Sequence, residues 1–190
     1  MKDSNDNKVG EFKQYFPVKH EEKKINGYDF FITHDEQTIY KKSNGKNTEV
    51  IDLLKSSAHF DYFSSVIDGS IFTPLIQQYI VKGFDLEMDG SYKSEFLHGY
   101  RLDLIDTYTI PETQYAKIIL ELRTLLHVLK ITESSESLTG DWALHNLVYS
   151  LKYQQIFNVD LEGFLRYSPL PNWAGIHQIE QWFKPFFRGN

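Results

Sequence analysis

The chain has no cysteine. That excludes a disulfide framework and any zinc or iron centre held by thiolates, and it leaves the redox compartment open. Histidine offers no substitute, because the seven histidines are scattered, with no His-x-x-x-His pair on a convincing helix to ligate zinc. Positive charge is also short. Twenty Lys and Arg stand against 26 Asp and Glu, a formal net charge of −6, which argues against binding nucleic acid through a basic surface. No apolar run approaches the length of a membrane span. The polar start, Met1-Lys2-Asp3-Ser4, lacks the apolar centre of a secretory signal, so a cytoplasmic protein is expected. Neither a Walker loop, a dinucleotide glycine pattern nor a Gly-x-Ser-x-Gly elbow occurs.

What is present suffices for one domain of 190 residues with a real core, or two small lobes sharing a cleft. With 12 Tyr and 14 Phe, that core should be rich in aromatics. Residues 1–11 are polar and aperiodic and read as a disordered start; the ordered part runs from 12 to 190. Two strands, 19–25 and 28–33, flank Asn26-Gly27, a dipeptide suited to a tight hairpin turn. A turn at His34-Asp35-Glu36 leads to a third strand over 37–42, completing an antiparallel meander. Val50, Ile51, Leu53 and Leu54 predict a short helix over 48–55. Residues 70–80 are apolar and read as β-rich around Pro74, whereas 89–106, with Glu95, His98 and Arg101, takes no assignment. The clearest helix begins at Ile110-Pro111-Glu112, with Ile118, Ile119, Leu122, Leu125, Leu126 and Leu129 on one face. His127 within it reads as structural. Residues 147–149 and 155–157 form a hairpin around a turn at 150–154, and 176–187 reads as one amphipathic helix. The class is α+β.

The stretch that carries chemistry is Thr139-Gly140-Asp141-Trp142-Ala143-Leu144-His145-Asn146, followed after the hairpin by Asn158-Val159-Asp160-Leu161-Glu162-Gly163. Metal-assisted phosphoryl transfer needs one carboxylate to orient the attacking hydroxyl and take its proton. It also needs an amide oxygen and a second carboxylate to hold Mg²⁺ on the phosphates. The hairpin would bring Asn146 and Asp160 to the same end of a small ribbon, close enough to share an ion. Capping and turn formation is the plain alternative for these three residues. A glycosidase could use two carboxylates, but the Asn has no role in that chemistry.

Gly-Asp-x-x-x-x-Asn followed by Val-Asp-x-Glu resembles the protein-kinase-like superfamily, nearer its small-molecule branch (aminoglycoside, choline and sugar kinases) than typical protein kinases. The resemblance covers roughly residues 19–165. It implies a two-lobed fold, with a small antiparallel-sheet lobe over 12–80 and a mainly helical, shortened lobe over 81–190. It implies ATP and Mg²⁺ as cofactors and a hydroxylated small molecule or glycan as acceptor. Asp141 would be the catalytic base, and Asn146, Asp160 and Glu162 the metal residues. Thr38-Ile39-Tyr40-Lys41 resembles the strand whose lysine meets the phosphates, with Lys42 as alternative because strand alternation puts the two on opposite faces. Glu49 resembles the acid that steadies that lysine. Gln78, Tyr79, Ile80 and Val81 resemble the link between lobes whose backbone meets adenine, commonly written apolar-Glu-Tyr-apolar-x-Gly-x-x-Leu. Gly27 is the nearest thing to the family's glycine-rich phosphate flap, which this chain otherwise lacks. A compact protein kinase, disfavoured by the missing activation segment, and a nucleotide-binding pseudokinase are the alternatives.

Overall fold

The computed structural model describes residues 12–15, 27–46, 48–132, 141–166, 181 and 184. Over them the protein is mixed α+β, with two antiparallel sheets and a helical core. The larger sheet has five strands in the order β1-β2-β3-β5-β4: β1 (Phe12–Tyr15), β2 (Tyr28–Thr33), β3 (Thr38–Ser43), β4 (Gly83–Phe84) and β5 (Tyr92–Glu95). The smaller has three in sequence order: β6 (Gly99–Arg101), β7 (Leu147–Ser150) and β8 (Gln155–Asn158).

The turn between β2 and β3 forms where His34-Asp35-Glu36 predicts it. The Asp35 carboxylate accepts from the Thr33 hydroxyl at 2.6 Å and from the Gln37 N–H at 3.1 Å, a local pattern that replaces ladder hydrogen bonds with a turn. The strand paired with β2 is Phe12–Tyr15, with Tyr15 opposite Phe30. The strand expected at 19–25, Asn26 and the start at 1–11 lie outside the described residues, as does most of the helix expected over 176–187.

Helix α1 (Thr48–Leu54) buries Val50 and Leu54, as its spacing predicts. Helix α2 (Ser57–Ile67) follows and buries Phe63, Val66 and Ile67 at three- and four-residue spacing, a periodicity that aromatic β-formers obscure. Residues 70–80 do not form a strand. Pro74 opens a four-residue helix, α3 (Pro74–Gln77), where its missing N–H costs nothing, and the N–H groups of Ile76 and Gln77 both reach the Thr73 carbonyl. The unassigned 89–106 carries β5, β6 and a 3₁₀ segment, Leu102–Thr107.

Helix α4 (Glu112–Ile131) starts after Pro111 and buries Ile118, Leu122, Leu125, Val128 and Leu129. Ile119 and Leu126 flank that face half-buried, and His127 is exposed. The core is aromatic. Trp142 and Phe164 meet edge-on with centroids 6.0 Å apart, Phe72 packs on Phe164 at 5.0 Å, and Phe63 on Tyr92 at 6.0 Å. Helix α5 (Leu161–Arg166) carries Phe164 into this cluster.

Only residues 96–98 separate β5 of the larger sheet from β6 of the smaller. The crossing is tight at Gly99, opposite Ser150, where an added Cβ would lie 1.8 Å from the Tyr149 carbonyl oxygen. Any side chain there would force β6 off β7.

Candidate active site

A single 3₁₀ turn, Leu144–Asn146, brings the chain from Asp141 to the start of β7. Register then does the rest. Leu147 faces Asn158 across the β7–β8 hairpin, so Asn146 and Val159 meet just beyond the ribbon, and the Val159 N–H donates to the Asn146 carbonyl at 2.9 Å. The Asn146 amide nitrogen donates to the Asp141 carbonyl and to Asp160 Oδ2, each at 3.3 Å. Asn146 and Asp160 therefore share the end of the ribbon, as the hairpin predicts.

Asn158 organises this corner from beneath, a role its sequence position did not suggest. It is fully buried. Its Nδ2 donates to the Asp141 carbonyl at 2.8 Å and its Oδ1 accepts from the Asp160 N–H at 2.9 Å, so one amide ties both acidic residues by their backbones. The Asp141 carboxylate is aimed by the Ala143 N–H, which donates to Oδ1 at 3.0 Å, while Oδ2 faces His145 Nε2 at 4.0 Å. Gly163 closes the corner: a Cβ there would stand 2.7 Å from Asp160 Oδ2 and 3.3 Å from Asp141 Cβ.

The lysine comes from β3. Lys41 is buried and Lys42 exposed, which fixes the strand face. Lys41 Nζ donates to the Val159 carbonyl at 2.8 Å and to Glu162 Oε2 at 3.1 Å, and Tyr92 donates its hydroxyl to the same Oε2. The acid expected to steady the lysine was Glu49. It sits exposed at the start of α1, and the carboxylate against Lys41 is that of Glu162. Of the residues expected to hold the metal, Glu162 has one carboxylate oxygen, Oε2, taken up by Lys41 and Tyr92. The reason is geometric: α5 begins immediately after Asp160 and turns Glu162 inward, a helix that the Asp-x-Glu spacing does not announce.

These contacts set the electrostatics. Burial would push the Glu162 carboxyl up, but the Lys41 ammonium and the Tyr92 hydroxyl hold it below the usual value. Asp160 goes the other way: enclosure by protein and the charge of Glu162 push it well above the ordinary carboxylate range, against the pull of Lys41. Burial, then the neighbouring Glu162, pushes the Tyr92 phenol well up, so it stays a donor.

The donor set left for a divalent cation is the Asn146 amide oxygen and the Asp160 carboxylate. They fit. The Asn146 NH₂ is turned to the Asp141 carbonyl and Asp160, and its Oδ1 has no hydrogen-bond partner among the described residues. An acid whose proton affinity is raised by burial and like charge gains most from a cation. Among the described residues no three His, Asp or Glu side chains gather as a metal cage, so phosphate oxygens and water would complete the shell.

Lys41, Asn146, Asp160 and Glu162 line a cleft of about 260 Å³, with Phe30, Ile39 and Leu97 among its apolar walls; Asp141 is not among the lining residues. The segment expected to meet adenine is not there. Tyr79, Ile80 and Val81 are buried, the Val81 N–H donates to the Asn158 carbonyl at 3.1 Å, and the Tyr79 carbonyl accepts from the Asn158 N–H at 2.7 Å. The Ile80 N–H is taken by Gln77, and the Gln78 carbonyl accepts from Gln155 Nε2 at 2.7 Å. Gly27 does not line the cleft either; its carbonyl accepts from the Asn44 N–H at 3.0 Å.

An open backbone edge lies instead in residues 96–98. The Phe96 N–H donates to Gln37 and the His98 carbonyl accepts from Leu151, whereas the N–H and carbonyl of Leu97 between them have no partner among the described residues. The sequence held a signal for this. Glu95-Phe96-Leu97-His98-Gly99-Tyr100-Arg101-Leu102 writes acid, aromatic, apolar, x, Gly, x, x, Leu more fully than residues 78–86 do. No protein-family model matches the chain, and no curated protein matches it in sequence.

Proposed function

We propose that this protein is an ATP-dependent phosphotransferase that moves the γ-phosphoryl group to a hydroxyl of a small molecule or glycan, assisted by Mg²⁺. The observation that carries the reading is that Lys41, from a distant strand, meets Asn146 and Asp160 on one cleft, with Asp141 tied to Asn146 and Asn158 beside them. A capping and turn role explains Asp141 and Asn146 singly. It does not explain a buried lysine from another sheet directed at the same corner, since a buried ion pair is a poor source of stability. On this reading the fold is a minimal kinase-like one, with the five-stranded sheet as small lobe, α4 and the β6–β8 sheet in the large lobe, and residues 96–98 as the link.

Adenine would lie against Phe30, Ile39 and Val148, its edge paired with the backbone of Leu97. Lys41 would meet the phosphates, and Asn146 and Asp160 would hold the cation, which neutralises phosphate charge. Asp141 accepts the acceptor's proton on Oδ2 as the hydroxyl oxygen bonds to the γ-phosphorus and the bond to the bridging oxygen breaks, releasing ADP. Its Oδ1 is held by Ala143, so Oδ2 is the oxygen available.

The test is binding before turnover. ATP with Mg²⁺ is expected to raise the melting temperature and ATP without it to bind weakly, because Asp160 and Glu162 repel phosphate unless a cation intervenes. Calorimetry that finds no nucleotide binding with Mg²⁺ present would overturn the reading. Mg²⁺-dependent binding without transfer to any hydroxylated acceptor would reduce it to a nucleotide-binding protein.

A further inference from the structure

We propose that Tyr92 and Glu162 form the positioning pair for Lys41, so that the lysine is aimed from the segment that carries Asp160 and not from the helix that follows its own strand. The inference rests on the phosphotransferase reading for its purpose but not for its geometry. Tyr92 lies opposite Lys41 on the adjacent strand β5 and is wholly buried. Tyr28 and Phe63 hold its ring edge-on, with centroids 6.4 and 6.0 Å away. That leaves its hydroxyl one direction, toward Glu162 Oε2. The carboxylate so fixed accepts from Lys41 Nζ at 3.1 Å, and the ammonium also lies 5.3 Å from the centre of the Tyr92 ring. Lys41 thus has its carboxylate and its carbonyl acceptor, Val159, from either side of Asp160.

Two consequences follow from this connectivity. Neither α1 nor α2 supplies the counter-ion of Lys41, so α2 bears on the lysine only indirectly, through Phe63 against the Tyr92 ring. And the lysine and the cation residue share one short stretch, residues 159–162, so whatever displaces Asp160 displaces the anchor of Lys41.

The test reads Lys41 directly, without nucleotide. The protein is treated with limiting acetic anhydride and acylation of each lysine is followed by peptide mass spectrometry, with exposed Lys42 on the same strand and exposed Lys55 just after α1 as internal references. Tyr92→Phe, which removes one oxygen from a ring that keeps its packing, is expected to speed Lys41 acylation at least about threefold, within the reach of one charge-assisted hydrogen bond. Lys42 and Lys55 should be unchanged. Glu162→Gln should speed it at least as much, and in that background Tyr92→Phe should add nothing, because the tyrosine acts through the carboxylate. Glu49→Gln should leave Lys41 as in the parent.

A Tyr92→Phe protein with unchanged Lys41 acylation, or with the same acceleration whether or not Glu162 is present, would overturn the proposal. Should Tyr92→Phe raise all lysines together, the fold has loosened, and Glu162→Gln against Glu49→Gln then decides: acceleration by the second and not the first overturns it. The phosphotransferase reading is tested in the same assay by adding ATP and Mg²⁺, which should protect Lys41. Absence of protection with the Tyr92 result intact would fell that reading and leave the positioning pair standing.

Discussion

Asp141, Asn146 and Asp160 come from one continuous stretch and are held in place largely by groups of that same stretch, whereas Lys41 reaches the same corner from β3, bonding a carbonyl 118 positions further along the chain. The acid side is local: a 3₁₀ turn, a tight hairpin and one amide place everything. The lysine side is non-local and depends on how the larger sheet is laid over residues 159–162. A local site tolerates shifts of the sheet. A non-local contact registers them. The substitutions below separate the two sides, from the largest expected effect to the smallest.

Asp141→Asn is expected to lower turnover about 10²–10⁴-fold while Mg²⁺-dependent nucleotide binding and the melting temperature stay near those of the parent, since general-base and orienting effects act mainly in the transition state. Calorimetry with a non-hydrolysable ATP analogue beside single-turnover assays checks the split. Loss of binding would remove Asp141 from its role.

Lys41→Met should abolish transfer and also strand the Glu162 charge, costing about 3–5 kcal/mol by chemical denaturation. Adding Glu162→Leu should restore most of that stability and none of the activity. Lys42→Met on the exposed face should change stability by no more than about 0.5 kcal/mol. If Lys42→Met were the damaging variant, the strand face would be misassigned.

Asn158→Ala attacks the local side. It leaves the Asp141 carbonyl and the Asp160 N–H without their side-chain partner, an expected loss of about 2–4 kcal/mol in a urea titration. A neutral result would show that the corner is held by something other than this amide.

Asp160→Asn should do the reverse. Burial and Glu162 hold the folded-state proton affinity of Asp160 above its ordinary value of 3.8. Its contribution to stability is therefore fully present below that value and lost as pH rises toward the raised folded value. Glu162 is shifted down, so its own contribution is present above 4.5 and lost as pH falls. Without Mg²⁺ at pH 7, Asp160→Asn is expected to melt at least about 2 °C above the parent, the shift that ~1 kcal/mol gives at this size, and the difference should vanish near the ordinary carboxylate value. A variant that melts lower at pH 7 would mean that the carboxylate is stabilising as it stands.

The same contrast governs what was legible in the sequence. Asp141, Asn146 and Asp160 stand at a spacing that a hairpin converts directly into proximity, and β7 and β8 formed that hairpin. Helix α4 was written in its own periodicity, and the 34–36 turn in Asp35. What failed was non-local or disguised. The acid for Lys41 was sought on the next helix because sequence adjacency favours Glu49, but whether a carboxylate turns inward depends on α5, six residues that no periodicity marks. Residues 77–86 were read as a link because an apolar run looks like a strand whether or not its backbone is already paired. The pairing is with Asn158, far along the chain, and it left the open edge to Leu97.

Gly163 gives the site a property useful to anyone who wants an inert reference protein. The usual way to silence such a corner is to neutralise an acid, which also alters net charge, titration behaviour and the field that a charged ligand meets on approach. Here the two acids and the space between them are bounded by the absence of a single methyl group. A side chain of one carbon at that position presses on the Asp160 carboxylate and must displace it, while every ionisable group stays in the chain. Displacing a carboxylate and removing its charge, which a neutralising substitution confounds, can be told apart at this position.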